Sequence, residues 1–122
     1  MAGMNTHEKW KGFMKPLPEK TRMNKTEAAW AEHLESMRIM GQIKAWQFEE
    51  HKIRLANNTW YTPDFFVVYP GHFEIHEVKG FWRDDARVKI KIFSEQYWWI
   101  KVFSVTKKAK KYGGGWEFET FA

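Results

Sequence analysis

Residues 60–79, with the sequence WYTPDFFVVYPGHFEIHEVK, decide the fold of this 122-residue chain. The run at 60–69 is rich in aromatic and β-branched side chains, which favours a β-strand. Pro63 lies inside this run and predicts an edge position, a bulge or a late start of the strand. Pro70 and Gly71 then form a turn before a second strand at 73–79, so the stretch predicts an antiparallel hairpin.

The second strand of this hairpin alternates between two faces. One face carries Phe73, Ile75, Glu77 and Lys79 in order, and His76 is predicted on the opposite face. The two apolar residues mark the first face as buried, and charges at buried strand positions are costly unless they are paired or bind a metal. Taken alone, Glu77 and Lys79 favour a salt bridge at the end of the strand.

Asp64 changes this interpretation. In an antiparallel hairpin, Asp64 and Glu77 are each about six residues from the turn, so their side chains meet at one end of the sheet. Two carboxylates repel each other, and Lys79 neutralises only half of their charge. A hard divalent cation such as Mg²⁺ or Mn²⁺ would relieve the repulsion, activate a water and neutralise charge on a phosphodiester. Lys79 would then position the attacking water or stabilise the developing charge.

The remaining elements predict a mixed α/β fold in the order α-β-β-β-α-β-β, with helices flanking the sheet. A capping box at Asn24 and Glu27 opens a helix at 25–40, which Gly41 ends. A second helix starts at Asp84 or Asp85, and strands follow at 99–106 and 116–121. Glu27 lies on the helix face that packs on the sheet, so it either caps the helix or belongs to the candidate site.

Composition constrains location and partners. The absence of cysteine excludes disulfides, zinc ribbons and thiol nucleophiles, and no apolar run is long enough to span a bilayer. We therefore expect a cytoplasmic protein without a membrane partner. One domain is predicted over 1–122, with a loosely ordered basic arm at 1–20, a catalytic core at 25–105, and a basic segment, glycine hinge and short terminal strand at 107–122.

The net charge of +5 and the sequence pI of about 9.4 favour a polyanionic partner, nucleic acid before membrane. Two groups of basic residues predict a surface that follows DNA phosphates. The groups are Arg83, Arg87, Lys89 and Lys91 around the second helix, and Lys107, Lys108, Lys110 and Lys111 after the last long strand. The alternative is a solvated charged face with no binding role.

Pro63-Asp64 followed by Glu77-Val78-Lys79 resembles the PD-(D/E)xK signature of the restriction-endonuclease-like nuclease superfamily. The predicted order over 25–105 is similar to the αβββαβ core of that superfamily. The segments NKTEAAWAEHLE, YTPDFFV and EVKGFWRDDARVKIK resemble small phage-encoded nucleases and junction-resolving endonucleases. The resemblance implies Asp64, Glu77 and the Val78 backbone carbonyl as metal ligands, Lys79 as the catalytic lysine, and Glu27 as a ligand for a second metal.

The expected activity is Mg²⁺- or Mn²⁺-dependent endonucleolytic hydrolysis of DNA, on branched or structured substrates in the manner of a Holliday-junction resolvase. A homodimer is expected because resolving a junction requires two cuts. A phage-encoded enzyme of this kind would act in the host cytoplasm. The alternatives are a sequence- or strand-specific nicking enzyme or exonuclease of the same superfamily, and a catalytically silent DNA-binding module.

Overall fold

The computed structural model describes residues 23–79 and 84–121, and the predicted arm at 1–20 and Arg83 lie outside these ranges. The described chain contains two α-helices and seven strands. They are α1 (Lys25–Ile39), β1 (Ala45–Phe48), β2 (Ile53–Ala56), β3 (Thr59–Tyr61), β4 (Phe65–Val68), β5 (Phe73–Val78), α2 (Asp84–Gln96), β6 (Lys101–Lys107) and β7 (Trp116–Phe121). A short 3₁₀ turn, Lys110–Tyr112, lies between the last two strands.

Five strands form one mixed sheet in the order β1-β4-β5-β6-β7. β1, β4 and β5 are antiparallel neighbours, β5 and β6 run parallel, and β7 returns antiparallel to β6. Helix α2 provides the crossover that a parallel pair requires. The predicted α/β class, a mixed sheet with helices, is therefore confirmed.

The prediction of a single strand at 60–69 is wrong. β3 ends at Tyr61 and pairs with β2 in a separate two-stranded hairpin, whereas β4 starts at Phe65 and pairs within the main sheet. The buried Pro63 lies between the two strands and lacks the N–H that a continuous ladder needs. The antiparallel β4–β5 hairpin itself is confirmed, and its register, Phe65 opposite His76, places Asp64 opposite Glu77.

Helices cover the two faces of the sheet separately. Trp30 and Leu34 of α1 pack in one cluster with Phe65 and Val67, whereas Ile90 and Phe93 of α2 pack in a second cluster around Ile75 and Val102; these residues are all buried. Both faces of β5 are therefore covered along most of its length. The alternation of its residues had predicted that only one face is buried. Phe73, predicted to be buried, is 43% exposed because it begins the strand at the margin of the sheet.

The ends of the elements follow local chemistry. Asn24 and Glu27 form the predicted capping box, and Gly41 ends the first helix with a left-handed φ of +80°. The strand predicted at 99–106 starts later, at Lys101, because the Ile100 N–H bonds to the Tyr97 carbonyl in a turn after α2. No helix in the described part of the chain has the length and apolar character needed to cross a membrane.

Candidate metal centre

Asp64 and Glu77 meet as predicted, and each is held by backbone of the other's strand. The Asp64 N–H donates to Glu77 Oε2 at 3.0 Å, and the Val78 N–H donates to Asp64 Oδ2 at 2.9 Å. Both side chains are nearly inaccessible, at 7% and 3% exposure. The reciprocal bonds fix both carboxylates at the end of the sheet where β4 begins and β5 ends.

Tyr61 completes the environment of Glu77 from the β2–β3 hairpin. Its hydroxyl donates a hydrogen bond to Glu77 Oε2, the same oxygen that accepts from the Asp64 N–H. Burial, followed by the charge of Glu77, raises the pKa of Tyr61 well above its ordinary value, so the phenol stays a donor. Sequence reasoning missed this residue because the hairpin brings it in from outside the main sheet.

Lys79 faces both carboxylates. Its Nζ lies 3.7 Å from Glu77 Oε1 and 3.9 Å from Asp64 Oδ2, and its backbone N–H donates to the Val105 carbonyl at 3.0 Å. The predicted Asp64, Glu77 and Lys79 group is therefore brought together. The ammonium lies at ion-pairing distance from both acids, and pairing with β6 fixes its backbone.

Two further acids, Glu27 and Glu49, approach Asp64. One oxygen from each of the three carboxylates lies within 4.8 Å of the others. The capping box is also present: the Asn24 N–H donates to Glu27 Oε1 at 2.9 Å, and the Glu27 N–H donates to Asn24 Oδ1 at 2.8 Å. Capping and a place in the acidic cluster are therefore compatible roles for Glu27.

Sequence reasoning missed Glu49 altogether. It directly follows β1, and its N–H donates to the Asp64 carbonyl at 2.9 Å, which places it beside the motif. Its φ of 50° is left-handed, a conformation that costs a residue with a side chain about 1 kcal/mol or more. The only available signal was an acid at the end of a strand, and the pairing of β1 with β4 was needed to place it.

Burial dominates the titration of the site. It raises the pKa of Asp64 to about 6, against the lowering influence of Lys79 and of the Val78 N–H. Burial and then the charge of Asp64 raise the pKa of Glu77 to about 8, although Tyr61 and Lys79 favour its ionised form. Burial, then Asp64 and Glu27, also raise the pKa of Glu49. One ammonium does not neutralise four converging carboxyl groups.

This set of donors fits a hard divalent cation. Carboxylate oxygens are the preferred ligands of Mg²⁺, and oxygens bound at ~2.1 Å on opposite sides of one ion are about 4.2 Å apart. Glu27, Glu49 and Asp64 each offer an oxygen within 4.8 Å of the other two, an upper limit slightly above that spacing, so they are the residues that would hold the ion. Glu77 lies outside this trio, with Oε2 occupied by two donors; its role as a ligand and that of the Val78 carbonyl stay predictions.

A cleft of about 270 Å³ opens onto the site. Asp64, Glu77 and Lys79 line its floor, residues 60–62 line one wall, and the start of α2, including Lys89, lines the other. The cleft therefore borders both carboxylates and the ammonium.

The predicted basic residues are distributed unevenly around this cleft. Lys107 is the last residue of β6, at the same margin of the sheet as Lys79, and the chain continues from it through Lys108, Lys110 and Lys111. Arg87 instead donates to Glu119 at 2.5 Å, and with Lys91 it lines a separate cavity beside β7. The lysines near the end of β6 and Lys89 are thus better placed for the site than Arg87 and Lys91.

The opposite face of β5 carries a second polar network. The Trp30 indole N–H donates to His76 Nδ1 at 3.1 Å, so the proton of the neutral ring is on Nε2, which donates to Glu74 at 2.9 Å. His72 contacts the other oxygen of Glu74 at 2.6 Å. The prediction that His76 faces away from Glu77 is confirmed, and its partners are structural.

Comparison of the chain with protein-family models, with curated proteins and with solved structures gives no match. The functional interpretation therefore depends on the residues and their geometry.

Proposed function

We propose that this chain is a Mg²⁺- or Mn²⁺-dependent deoxyribonuclease with a restriction-endonuclease-like core of the PD-(D/E)xK type. The observation that carries the proposal is the convergence of Glu27, Glu49 and Asp64 within 4.8 Å. Asp64 also lines an open cleft together with Glu77 and Lys79. Four separate segments supply these side chains. A structural salt bridge would require only one acid for Lys79, so the surplus of carboxylates favours a cation site.

The arrangement of elements supports the same proposal. When the β2–β3 hairpin is counted as an insertion between β1 and β4, the remaining order is α1-β1-β4-β5-α2-β6, which corresponds to αβββαβ. The two halves of the motif then lie on the paired strands β4 and β5. The spacing of the motif and the topology thus agree with one another.

Each side chain has a defined part in the proposed reaction. Glu27, Glu49 and Asp64 hold the cation, which when bound lowers the pKa of a water and neutralises charge on the phosphodiester. Lys79 lies over both Asp64 and Glu77 and can orient the attacking water or stabilise charge on the phosphoryl oxygens. Glu77, held by Tyr61 and the Asp64 N–H, positions the ammonium.

The proposed substrate is branched or otherwise structured DNA, cut endonucleolytically as by a junction-resolving enzyme. Lys89 on the wall of the cleft and the lysines at 107–111 supply positive charge for the phosphate backbone, which gives affinity without reading bases. A homodimer would place two such sites in the two-fold arrangement that a four-way junction requires.

A plasmid-nicking assay tests this function. Purified protein is incubated with supercoiled DNA in Mg²⁺, Mn²⁺, Ca²⁺ or EDTA, and Glu49→Gln and Asp64→Asn are compared with Glu50→Gln, which alters an exposed acid beside the site. We expect cleavage in Mg²⁺ and Mn²⁺ only, loss of cleavage in the first two variants, and wild-type rates in Glu50→Gln. Cleavage that persists in EDTA, or that survives both site substitutions, would disprove the metal mechanism.

The preference for branched DNA is tested separately, with a four-way junction and a linear duplex of equal length, alongside the mass of the protein in solution. A dimer that cuts the junction faster supports the resolvase form. A monomer that cuts both equally leaves a nuclease of another specificity. A protein that binds DNA and cuts none is the silent binding module.

A further inference from the structure

The β2–β3 hairpin presents two chemically different faces. Leu55 and Tyr61 point inward and are buried, whereas Arg54 and Trp60 form a cross-strand pair on the outer, exposed face. Lys52, just before β2, is exposed on the same side, with its ammonium 5.3 Å from the centroid of the Trp60 ring. The outer face thus combines an indole with two cations, and neither the sheet nor α2 needs it for packing.

The hairpin is fixed in place relative to the candidate metal centre. The Tyr61 ring packs 5.2 Å from that of Phe93 on α2, and the Gln96 side-chain amide donates to the Leu55 carbonyl at 3.1 Å. The Tyr61 hydroxyl bonds to Glu77. Trp60 directly precedes Tyr61 in β3. Because Tyr61 is fixed by its hydrogen bond to Glu77, the backbone position of Trp60 is fixed as well.

Trp60 lines the cleft that also contains the carboxylates of Asp64 and Glu77. It is 42% exposed and lines the same cleft of about 270 Å³ as Asp64 and Lys79, with Lys89 on the facing wall. A partly exposed indole with Lys52 and Arg54 on its own hairpin, and with Lys79 and Lys89 in the same cleft, combines the aromatic and cationic groups that bind single-stranded nucleic acid. Trp60 belongs to neither of the two core clusters, so packing of the core does not explain its place.

We propose that Trp60 stacks on an unpaired base of the DNA strand whose phosphodiester enters the cleft, while Lys52 and Arg54 contact its neighbouring phosphates. This inference rests on the proposed nuclease function and narrows its substrate class. Bases inside a continuous duplex have both faces stacked on other bases, so an indole can stack only where a base is unpaired or terminal. The substrate is therefore DNA with a single-stranded nucleotide beside the cut, as at a flap, a gap or an opened branch point.

Binding without cleavage tests the inference directly. Fluorescence anisotropy in EDTA and in Ca²⁺ measures the affinity for a fluorescent oligothymidine and for a blunt duplex of equal length. Trp60→Ala should weaken binding of the single strand by at least about 5-fold, because stacking on one base supplies that much or more. Trp60→Phe should restore most of the affinity, and binding of the blunt duplex should change by less than about 2-fold, within the effect of an ordinary surface substitution.

Trp98→Ala is the matched control. Trp98 is 78% exposed, follows the far end of α2 and is not among the residues that line the cleft. This variant should bind both DNAs as the wild type does. If Trp60→Ala binds the single strand with wild-type affinity, or loses affinity for duplex and single strand equally, the stacking role is refuted.

Cleavage of a flap substrate separates this inference from the proposed function. If the protein cuts DNA in Mg²⁺ and Trp60→Ala raises KM for the flap with little effect on kcat, both stand. If the protein cuts DNA but Trp60→Ala has wild-type KM, only the stacking inference fails. If no DNA is cut but single strands are bound through Trp60, the nuclease proposal fails and the inference survives for a binding protein.

Discussion

Replacing Glu77 with glutamine substitutes a neutral amide for a buried ionisable carboxyl group and preserves most of the geometry of the site. The amide oxygen can accept from the Tyr61 hydroxyl and from the Asp64 N–H, as Oε2 of the carboxylate does. Lys79 keeps its contact with Asp64 at 3.9 Å. In EDTA the substitution therefore isolates the cost of ionising a carboxyl group that is 3% exposed.

The sign and size of the effect follow from titration. The pKa of Glu77 is raised to about 8 from its ordinary value of 4.5, so the folded state binds this proton more tightly than the unfolded state. The contribution of Glu77 to the stability of the metal-free protein is then greatest at low pH and falls as the pH rises through this window. At ~1.4 kcal/mol per pH unit, the two units between pH 5 and pH 7 cost about 3 kcal/mol. Glu77→Gln has no ionisable group at this position, so its stability does not decrease for this reason.

Urea unfolding followed by tryptophan fluorescence measures the effect at both pH values. The stability of the variant relative to the wild type should rise by about 3 kcal/mol from pH 5 to pH 7, a shift in midpoint of about 1–3 M. Comparing the two pH values cancels any pH-independent effect of the amide. Parallel pH profiles for the two proteins would refute the reasoning, because they would mean that Glu77 does not resist ionisation.

Glu74→Gln is a control of opposite sign. Burial raises the pKa of Glu74, but hydrogen bonds from His76 and His72 outweigh burial and hold the pKa below its ordinary value. Its ionised form therefore stabilises the fold above the ordinary pKa of a glutamate, and this contribution is lost as the pH falls. The variant should be less stable than the wild type at pH 7, with the difference narrowing in acid.

Three further outcomes are expected. Mg²⁺ or Mn²⁺ should raise the melting temperature of the wild type. Glu27→Gln should keep the metal-free stability, because glutamine also completes a capping box, but the rise in melting temperature with metal should be smaller. An unchanged rise would show that Glu27 is not a metal ligand. Lys79→Ala should reduce cleavage by about 10²-fold or more while metal binding, measured by calorimetry, persists. The double variant Lys52→Gln, Arg54→Gln should reduce the slope of log K against log salt for single-stranded DNA by about 1.4, and an unchanged slope would exclude both from phosphate contact.

The alternation of side chains along β5 and the turn residues before it correctly predicted the β4–β5 hairpin at the centre of the sheet. The Pro70-Gly71 turn and the pattern of β5 placed Asp64 opposite Glu77, because register in a hairpin follows from the position of its turn. The same local logic located the capping box at Asn24. These features depend on interactions between residues close in sequence, and such interactions are visible in a single chain.

Pairing between distant segments could not be predicted in the same way. Glu49 joins the site because β1 pairs with β4, and Tyr61 joins it because β2 and β3 leave the main sheet as a hairpin. Neither pairing has a signal in local composition. Pro63 raised the alternative of a late strand start, but the redirection of β3 to another partner depended on packing against α2.

Adjacent residues of strand β5 point to opposite faces of the sheet and lie in two chemically different environments. His76 lies among the aromatic rings under α1, and Glu77 lies in the cleft beside Tyr61. A slip of one residue against β4 would exchange them, placing a carboxylate among indoles and an imidazole among acids. A chain misaligned by this single step would lose its core and its chemistry together. Quality control in the cell would then meet an unstable protein without the acidic site, and not a stable protein with a rearranged one.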